Sequence, residues 1–287
     1  MRVLIFGGSG MLGHKLVQVL SKKMDVYATA RRDSFVFNNV RFIGGIDVED
    51  ESLVKGIVKS LKPDVVINSV GLVKQLPESK NVVKSLKINS IFPHLLAKLC
   101  TNEGIRLIHI STDCVFKGDK GNYKEEDEAD ATDIYGKSKY LGEIYSEGCL
   151  TLRTSIIGRE ITERKGLIEW FLSKKGEKIK GYRKAIFSGF PTITFSGIVC
   201  WLIESYPNLS GLFHVSSSPI SKYELLCKLK EKLNFQVEIE PCDEVCINRS
   251  LDSSRFRAVT GFVPRTWDEM LDEMIEDFIW YEGLTER

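Results

Sequence analysis

The sequence predicts an α/β protein, a doubly wound parallel sheet followed by a smaller, mostly helical C-terminal lobe. Three observations carry this expectation. Short apolar runs rich in β-branched residues alternate with helical stretches over residues 1–158, as repeated βαβ units require. A glycine-rich turn, Gly7-Gly8-Ser9-Gly10-Met11-Leu12-Gly13, joins the first of these runs to the first helical stretch. After Gly158 the alternation weakens.

Taken in order, the strands fall at Val3 to Phe6, Asp25 to Thr29, Arg41 to Ile43, Val65 to Ser69, Arg106 to Ser111, Leu150 to Ser155 and Gly211 to Val215. Each is a short, nearly continuous apolar run, the pattern of a strand covered on both faces. Helices are expected at Met11 to Ser21, Glu51 to Leu61, Ser79 to Glu103 and Tyr135 to Glu147, with Pro93 bending the third or restarting it. Gly118 to Thr132 holds Asp, Glu, Gly and Lys with few apolar residues and reads as an exposed loop.

Composition bounds the function. A chain of 287 residues exceeds the usual single compact domain, so a main domain with an appended lobe is expected. Forty basic residues against thirty-nine acidic ones leave a net charge of +1, too little to attract nucleic acid or an anionic membrane surface. The apolar run at the start, Met1 to Phe6, is too short for a signal peptide, and no later segment reaches the length of a membrane span. Seven scattered cysteines lack the pairing of a secreted disulfide scaffold and fit a cytoplasmic protein. Cys242 and Cys246 have the wrong spacing for a zinc knuckle, and His14, His94, His109 and His214 have no metal-ligand spacing, so no metal is expected and the histidines read as packing or hydrogen-bonded residues.

The glycine turn carries the first chemistry. In a strand-turn-helix the first glycine permits the tight turn, the second lets backbone approach a phosphate, and the third allows strand and helix to pack closely. The free amides and dipole of the helix then favour an anion. Gly7, Ser9, Gly10, Met11, Leu12 and Gly13 are therefore candidate ligands of a dinucleotide pyrophosphate, and the sheet is of the Rossmann type. The dinucleotide-binding domain is expected over 1–158 plus about 191–216, and the lobe over about 159–190 plus 217–287. The second strand ends in Ala28-Thr29-Ala30-Arg31-Arg32. No carboxylate is there to bind ribose hydroxyls, whereas two guanidinium groups suit a 2′-phosphate, so NADP(H) is preferred with NAD(H) as the other option. Asp47 and Val48, after the third strand, are placed at the adenine.

A second constellation moves protons. Tyr135-Gly136-Lys137-Ser138-Lys139 sets Tyr135 and Lys139 four residues apart on one helical face, where an ammonium group can assist a phenol that otherwise ionises near ~10. Thr112 follows Ser111 at the carboxyl end of a strand, the edge at which open α/β sheets bind ligands, and a hydroxyl there can hold a substrate carbonyl.

These residues resemble the extended short-chain dehydrogenase/reductase family and, within it, the dTDP-4-dehydrorhamnose reductase branch. The resemblance rests on the glycine turn, Asn68-Ser69-Val70-Gly71, Ser111-Thr112-Asp113-Cys114-Val115-Phe116, Tyr135 to Lys139, Leu152 to Ser155, Gly211 to Val215 and Arg249 to Ser254, in family order across nearly the whole chain. It implies reduction of a 4-keto sugar carried on a nucleoside diphosphate. Tyr135 is then the proton donor, Lys139 lowers its pKa and anchors the nicotinamide ribose, and Thr112 holds the reacting oxygen. Ser69, Val70 and Gly71 line the cofactor, and Thr112, Asp113, Cys114, Arg249 and Arg183 (or Lys184) meet the substrate. Ile156 replaces the branch's usual tryptophan, and Leu72 to Glu78 replaces its threonine-bearing stretch, which leaves the sugar and its nucleotide open. An epimerase or dehydratase of the same fold and a non-catalytic NADP-binding regulatory subunit are the competing readings. A homodimer is compatible with the fold.

Overall fold

The computed structural model describes residues 1–31, 40–162 and 164–285. Among them the main sheet contains β1 (Arg2–Phe6), β2 (Asp25–Thr29), β3 (Arg41–Ile43), β4 (Val65–Asn68), β5 (Arg106–Thr112), β6 (Cys149–Thr154) and β11 (Gly211–His214). Their spatial order is β11-β6-β5-β4-β1-β2-β3, and every neighbouring pair runs parallel. The chain reverses direction in the sheet between β1 and β4, which opens the ligand crevice at the carboxyl ends of both.

The alternation of β1 shows how the sequence makes the two layers. Val3 and Ile5 face α1 (Gly13–Leu20) and α7 (Thr192–Ser205), in a cluster with Leu16, Val17, Leu20, Val199 and Leu202. Leu4 and Phe6 face α2 (Glu51–Leu61) and α4 (Phe92–Asn102), with Val54, Val58, Phe92 and Leu96. These four of the five β1 residues are fully buried, so a period of two is present but hidden inside a continuous apolar run.

The expected helix from Ser79 to Glu103 is broken into several pieces. A 3₁₀ turn (Pro77–Lys80), α3 (Val82–Leu86), a π-helical turn (Lys87–Ile91) and α4 follow one another. Pro93 supplies the reason: it has no N–H for the carbonyl of Asn89, and the Phe92 amide bonds instead to the Lys87 carbonyl five residues back. The widened turn lets another backbone in, since a Cβ on Gly142 would lie 1.9 Å from the Asn89 oxygen. For the same reason α5 (Ile134–Leu141) is shorter than the expected Tyr135 to Glu147.

Beyond β6 come β7 (Ile156–Ile157), α6 (Leu167–Leu172), β8 (Lys178–Tyr182), β9 (Ala185–Phe187) and β10 (Phe190–Pro191), and after β11 come β12 (Ile220–Ser221), α8 (Lys222–Lys232), β13 (Glu238–Cys242), β14 (Ile247–Asn248), α9 (Ser254–Thr260), α10 (Trp267–Glu276) and α11 (Phe278–Thr285). To the expected helices the lobe adds small sheets, β13 with β8 and β12-β9-β14. Both α8 and α10 start with a reciprocal capping box, Ser221 with Glu224 and Thr266 with Glu269.

The chain's last helix returns to its first. Lys15 is 1% exposed, pairs with Asp277 at 2.5 Å, and lies 4.0 Å from both the Trp280 and Tyr281 rings. His14, expected to pack or to satisfy a hydrogen bond, bonds at both nitrogens: Nδ1 donates to the Gly10 carbonyl (2.7 Å) and Nε2 accepts from the Tyr281 hydroxyl (2.7 Å). Burial first, and the adjacent Lys15 charge second, lower its pKa to about 3. Among the described residues no helix is long and apolar enough to cross a membrane.

Candidate active site

Two adjoining clefts open at the carboxyl edge of the sheet. The larger, about 350 Å³, is lined by Ser9 to Leu12, Ser69 to Gly71, Thr112, Asp113, Cys114, Tyr135 and Lys139. The smaller, about 160 Å³, is lined by Gly7, Thr29, Asp47 and Val48, and shares Ser9, Gly10, Arg31 and Ser69 to Gly71 with the first. The volumes suit an elongated ligand entering by one mouth and reaching the other.

At the glycine turn the backbone does the work. Gly7 has φ +85°, a region that only glycine enters without strain. A Cβ on Gly13 would sit 2.0 Å from the Gly7 carbonyl oxygen, so glycine there is a steric requirement for α1 to start against β1. Among the described residues the backbone N–H groups of Ser9, Met11 and Leu12 have no hydrogen-bond partner, and all three residues line the larger cleft. Unsatisfied amides at a helix start fit the pyrophosphate of a dinucleotide. Arg31 is exposed at the junction of the two clefts; Arg32 lies outside the described residues.

At the other end the groups are side chains from separate elements. Gly136 allows their approach, because a Cβ there would lie 2.2 Å from the Cys114 carbonyl oxygen, and α5 packs directly on the turn that follows β5. Thr112 and Tyr135 in consequence line the same cleft, near enough for the Thr112 hydroxyl to act on the phenol. Ser111 and Thr112 are successive strand residues and point to opposite sides. Thr112 Oγ1 accepts from the Cys114 amide (3.1 Å) at the cleft, while Ser111 Oγ donates to Glu143 Oε1 (2.6 Å) beneath it.

Among the described residues the Lys139 ammonium makes no hydrogen bond to Tyr135. It donates to the Ile110 carbonyl at 2.7 Å, and burial lowers its pKa to about 8 against a smaller opposing pull from Glu143. The phenol of Tyr135 moves the other way. Burial raises its pKa above the ordinary value, the Cys114 and Asp113 side chains add to the rise, and the Thr112 hydroxyl opposes it. In this structure Tyr135 is therefore a neutral phenol at ordinary pH, a proton donor in waiting.

Three supporting residues went unnoticed in the sequence. Glu143 is fully buried and forms a bidentate pair with Arg153, 2.7 Å for each contact. Arg153 Nη1 donates to His214 Nε2 (3.1 Å), whose Nδ1 donates to the Tyr123 carbonyl (2.9 Å), tying β6 and β11 to the acidic loop. Asn89, on the π turn, accepts from the Leu72 amide (2.8 Å) and donates to the Leu72 carbonyl (3.1 Å) and Ser138 Oγ (3.0 Å). It thereby fixes the loop after β4 against the helix that carries Tyr135 and Lys139. The sequence signals were an arginine inside the apolar run of β6 and an asparagine inside an apolar helical stretch, each needing a buried partner.

Of the residues expected at the substrate, Thr112, Asp113 and Cys114 line the cleft. Arg249 reaches the same segment, Nε donating to the Phe116 carbonyl (2.7 Å) and Nη1 lying 3.8 Å from Cys114 Sγ. Arg183 is not brought there: it is exposed between β8 and β9, and Asp243 occupies its guanidinium at 2.8 and 2.5 Å.

Comparison with known proteins agrees with this geometry. The model of the RmlD substrate binding domain family matches residues 1–279. The spore coat polysaccharide biosynthesis protein SpsK of Bacillus subtilis is 27% identical over 96% of this chain and 97% of its own length. The methionine adenosyltransferase 2 subunit beta of Xenopus laevis is 25% identical over 94% of this chain and 80% of its own length. A crystal structure of a hypothetical dTDP-4-dehydrorhamnose reductase from Sulfolobus tokodaii superposes with a TM-score of 0.80 at 30% identity, covering 93% of this chain and 98% of that one.

Proposed function

The chain belongs to the RmlD substrate binding domain family, and from that premise we propose that it reduces a nucleotide-linked 4-keto sugar with NAD(P)H, in deoxysugar or polysaccharide synthesis. The observation that carries the proposal is the Thr112–Tyr135 pair facing the glycine turn within one cleft.

The cofactor would be held by the amides of Ser9, Met11 and Leu12 at its pyrophosphate. Asp47 and Val48 would meet the adenine, Arg31 with Arg32 the 2′-phosphate, and Ser69 to Gly71 and Lys139 the nicotinamide end. Bound there, it supplies hydride to the carbonyl carbon. The protein's own part is the oxygen. Thr112 donates a hydrogen bond to it as negative charge develops, and Tyr135 gives up its phenolic proton, so the carbonyl leaves as an alcohol. Burial keeps the phenol in the protonated form that reduction requires, since reduction consumes a proton. The ammonium of Lys139, held by Ile110, stabilises the phenolate left behind. NADP(H) is preferred to NAD(H) because no carboxylate ends β2. The seven cysteines are all free, in keeping with a cytoplasmic protein, and a homodimer suits the fold.

The full-length similarity to a methionine adenosyltransferase subunit favours one other reading, a regulatory chain that binds NADP without turnover. One assay separates them: NADPH consumption with dTDP- and UDP-linked 4-keto-6-deoxy sugars, for the native chain and Tyr135→Phe. Turnover abolished by the substitution supports the reductase. Tight NADPH binding with no turnover on either sugar, and stable capture by another enzyme, overturns it.

A further inference from the structure

His14 is fully buried in the first turn of α1, and the Gly10 carbonyl takes two donors from it, the backbone amide (3.1 Å) and Nδ1 (2.7 Å). A carbonyl can only accept, so Nδ1 carries the ring proton. Burial keeps the ring neutral, with a pKa of about 3, and Nε2 is then an acceptor. The Tyr281 hydroxyl, 267 positions along the chain, donates to that nitrogen at 2.7 Å. A phenol that donates to one ring nitrogen selects the tautomer with its proton on the other.

Fixing that carbonyl aims an amide. Among the described residues no peptide bond is cis, so the Gly10 C=O and the Met11 N–H lie on opposite sides of one rigid plane. With the oxygen held against α1 by two donors, the N–H is turned the other way, toward the cleft that Met11 lines. The reverse orientation would present the oxygen there, where its partial charge repels a phosphate. Gly10, without a Cβ, offers little resistance to that rotation, so the two donors decide it. Tyr281 is itself held firmly: Asp277, in the turn before α11, pairs with Lys15 (2.5 Å) and accepts from Gln18 Nε2 (2.7 Å), and the Trp280 ring stacks on the His14 ring with centroids 5.7 Å apart. The same hydroxyl lies 3.5 Å from the Arg159 carbonyl, at the start of a segment whose Glu160, Lys165 and Gly166 also line the larger cleft. Gly166 sits against the Met11 side chain, where a Cβ would come within 2.7 Å of the Met11 methyl.

We propose that Tyr281, acting through His14, is a positioning residue for the cofactor: it sets the His14 tautomer, the tautomer pins the Gly10 carbonyl to α1, and the pinned peptide presents the Met11 amide to the pyrophosphate. This rests on the reading of the glycine turn as the pyrophosphate site and adds the C-terminal helix to the cofactor-binding apparatus. Gly7 and Gly13 shape the turn by their own sterics. Tyr281 decides the direction of a single amide, so its effect falls on affinity more than on fold.

The test is fluorescence titration with NADPH and NADH on the native chain and on Tyr281→Phe, Gln18→Met, His14→Asn and His14→Leu, with thermal unfolding and ring ¹⁵N NMR of His14 alongside. Tyr281→Phe removes only the hydroxyl. It should weaken dinucleotide binding roughly three- to tenfold, the value of one buried hydrogen bond, and move His14 from the Nδ1–H form to a mixture of tautomers. Gln18→Met loosens the same pair of helices without touching the His14 hydrogen bonds, and should lower the thermal midpoint with affinity unchanged. His14→Asn keeps a side-chain N–H near the Gly10 carbonyl and should bind the dinucleotide more tightly than His14→Leu, which has none. Native-like affinity in Tyr281→Phe, an unchanged tautomer, or an equal loss of affinity in Gln18→Met overturns the inference, while binding by the native chain leaves the cofactor reading standing. A native chain that binds neither dinucleotide overturns the cofactor reading, and the inference with it.

Discussion

The two ends of the cleft are built from different materials. At the cofactor end the functional groups are backbone amides of one continuous turn, Gly7 to Gly13, so a short run of sequence contains nearly the whole device. At the reacting end Thr112 comes from β5, Tyr135 and Lys139 from α5, and their support from Asn89 on the π turn, Glu143 after α5 and Arg153 on β6. Backbone function is local and survives most changes around it. Side-chain function depends on a second layer of buried polar groups, and that layer is where it is vulnerable.

The comparison predicts a graded set of outcomes. The largest is Tyr135→Phe, which should cut NADPH-dependent turnover by roughly 10²–10⁴-fold through loss of the proton donor while leaving NADPH affinity unchanged; a fall in affinity of similar size would mean the two ends are not separable. Next is Glu143→Gln. It leaves Arg153 buried without its counter-charge and should lower the unfolding free energy by about 3–5 kcal/mol in denaturant titration. Little change in stability would show that the pair is not what secures the reacting end. Gly13→Ala should cost about 1–3 kcal/mol through overpacking against Gly7, read first as weakened NADPH binding with near-native far-UV circular dichroism.

The smallest effect is a pH dependence. With its pKa at about 8, Lys139 loses its proton as pH rises through that value, and turnover should fall about tenfold per further unit. The sign of the stability change is opposite. Between about 8 and the ordinary 10.5 the unfolded chain binds the extra proton, so this group makes folding more favourable as pH rises. Activity falling over that window while thermal stability at this group's expense does not fall would separate the site from unfolding. A flat rate profile through pH 8 would remove Lys139 from the role given to it.

Much of the framework was legible. Asp25 to Thr29, Arg41 to Ile43 and Glu51 to Leu61 occur at the bounds their patterns predict, because each is a local period with clear stops. The long helix from Ser79 was not legible as it stands, even though Pro93 marked a disturbance. Whether a proline kinks a helix, ends it or opens a π turn depends on what packs against the freed carbonyl, and that is Gly142, far along the chain. Arg183 and Arg249 make the same point for charge. Both are cations far along the chain, but Asp243 takes the first, while the second reaches the turn after β5.

The amino-acid sequence by itself determined the parallel sheet, the phosphate-binding turn and the Tyr135/Lys139 spacing, since each follows from steric and periodic rules acting within about a dozen residues. Only the tertiary structure decided which hydroxyl of Ser111-Thr112 faces the cleft, that the Lys139 ammonium goes to Ile110, and that Glu143, Arg153 and His214 form one buried network. Those outcomes depend on partners tens of residues away, and a buried polar group takes whichever partner the packing brings within hydrogen-bond reach.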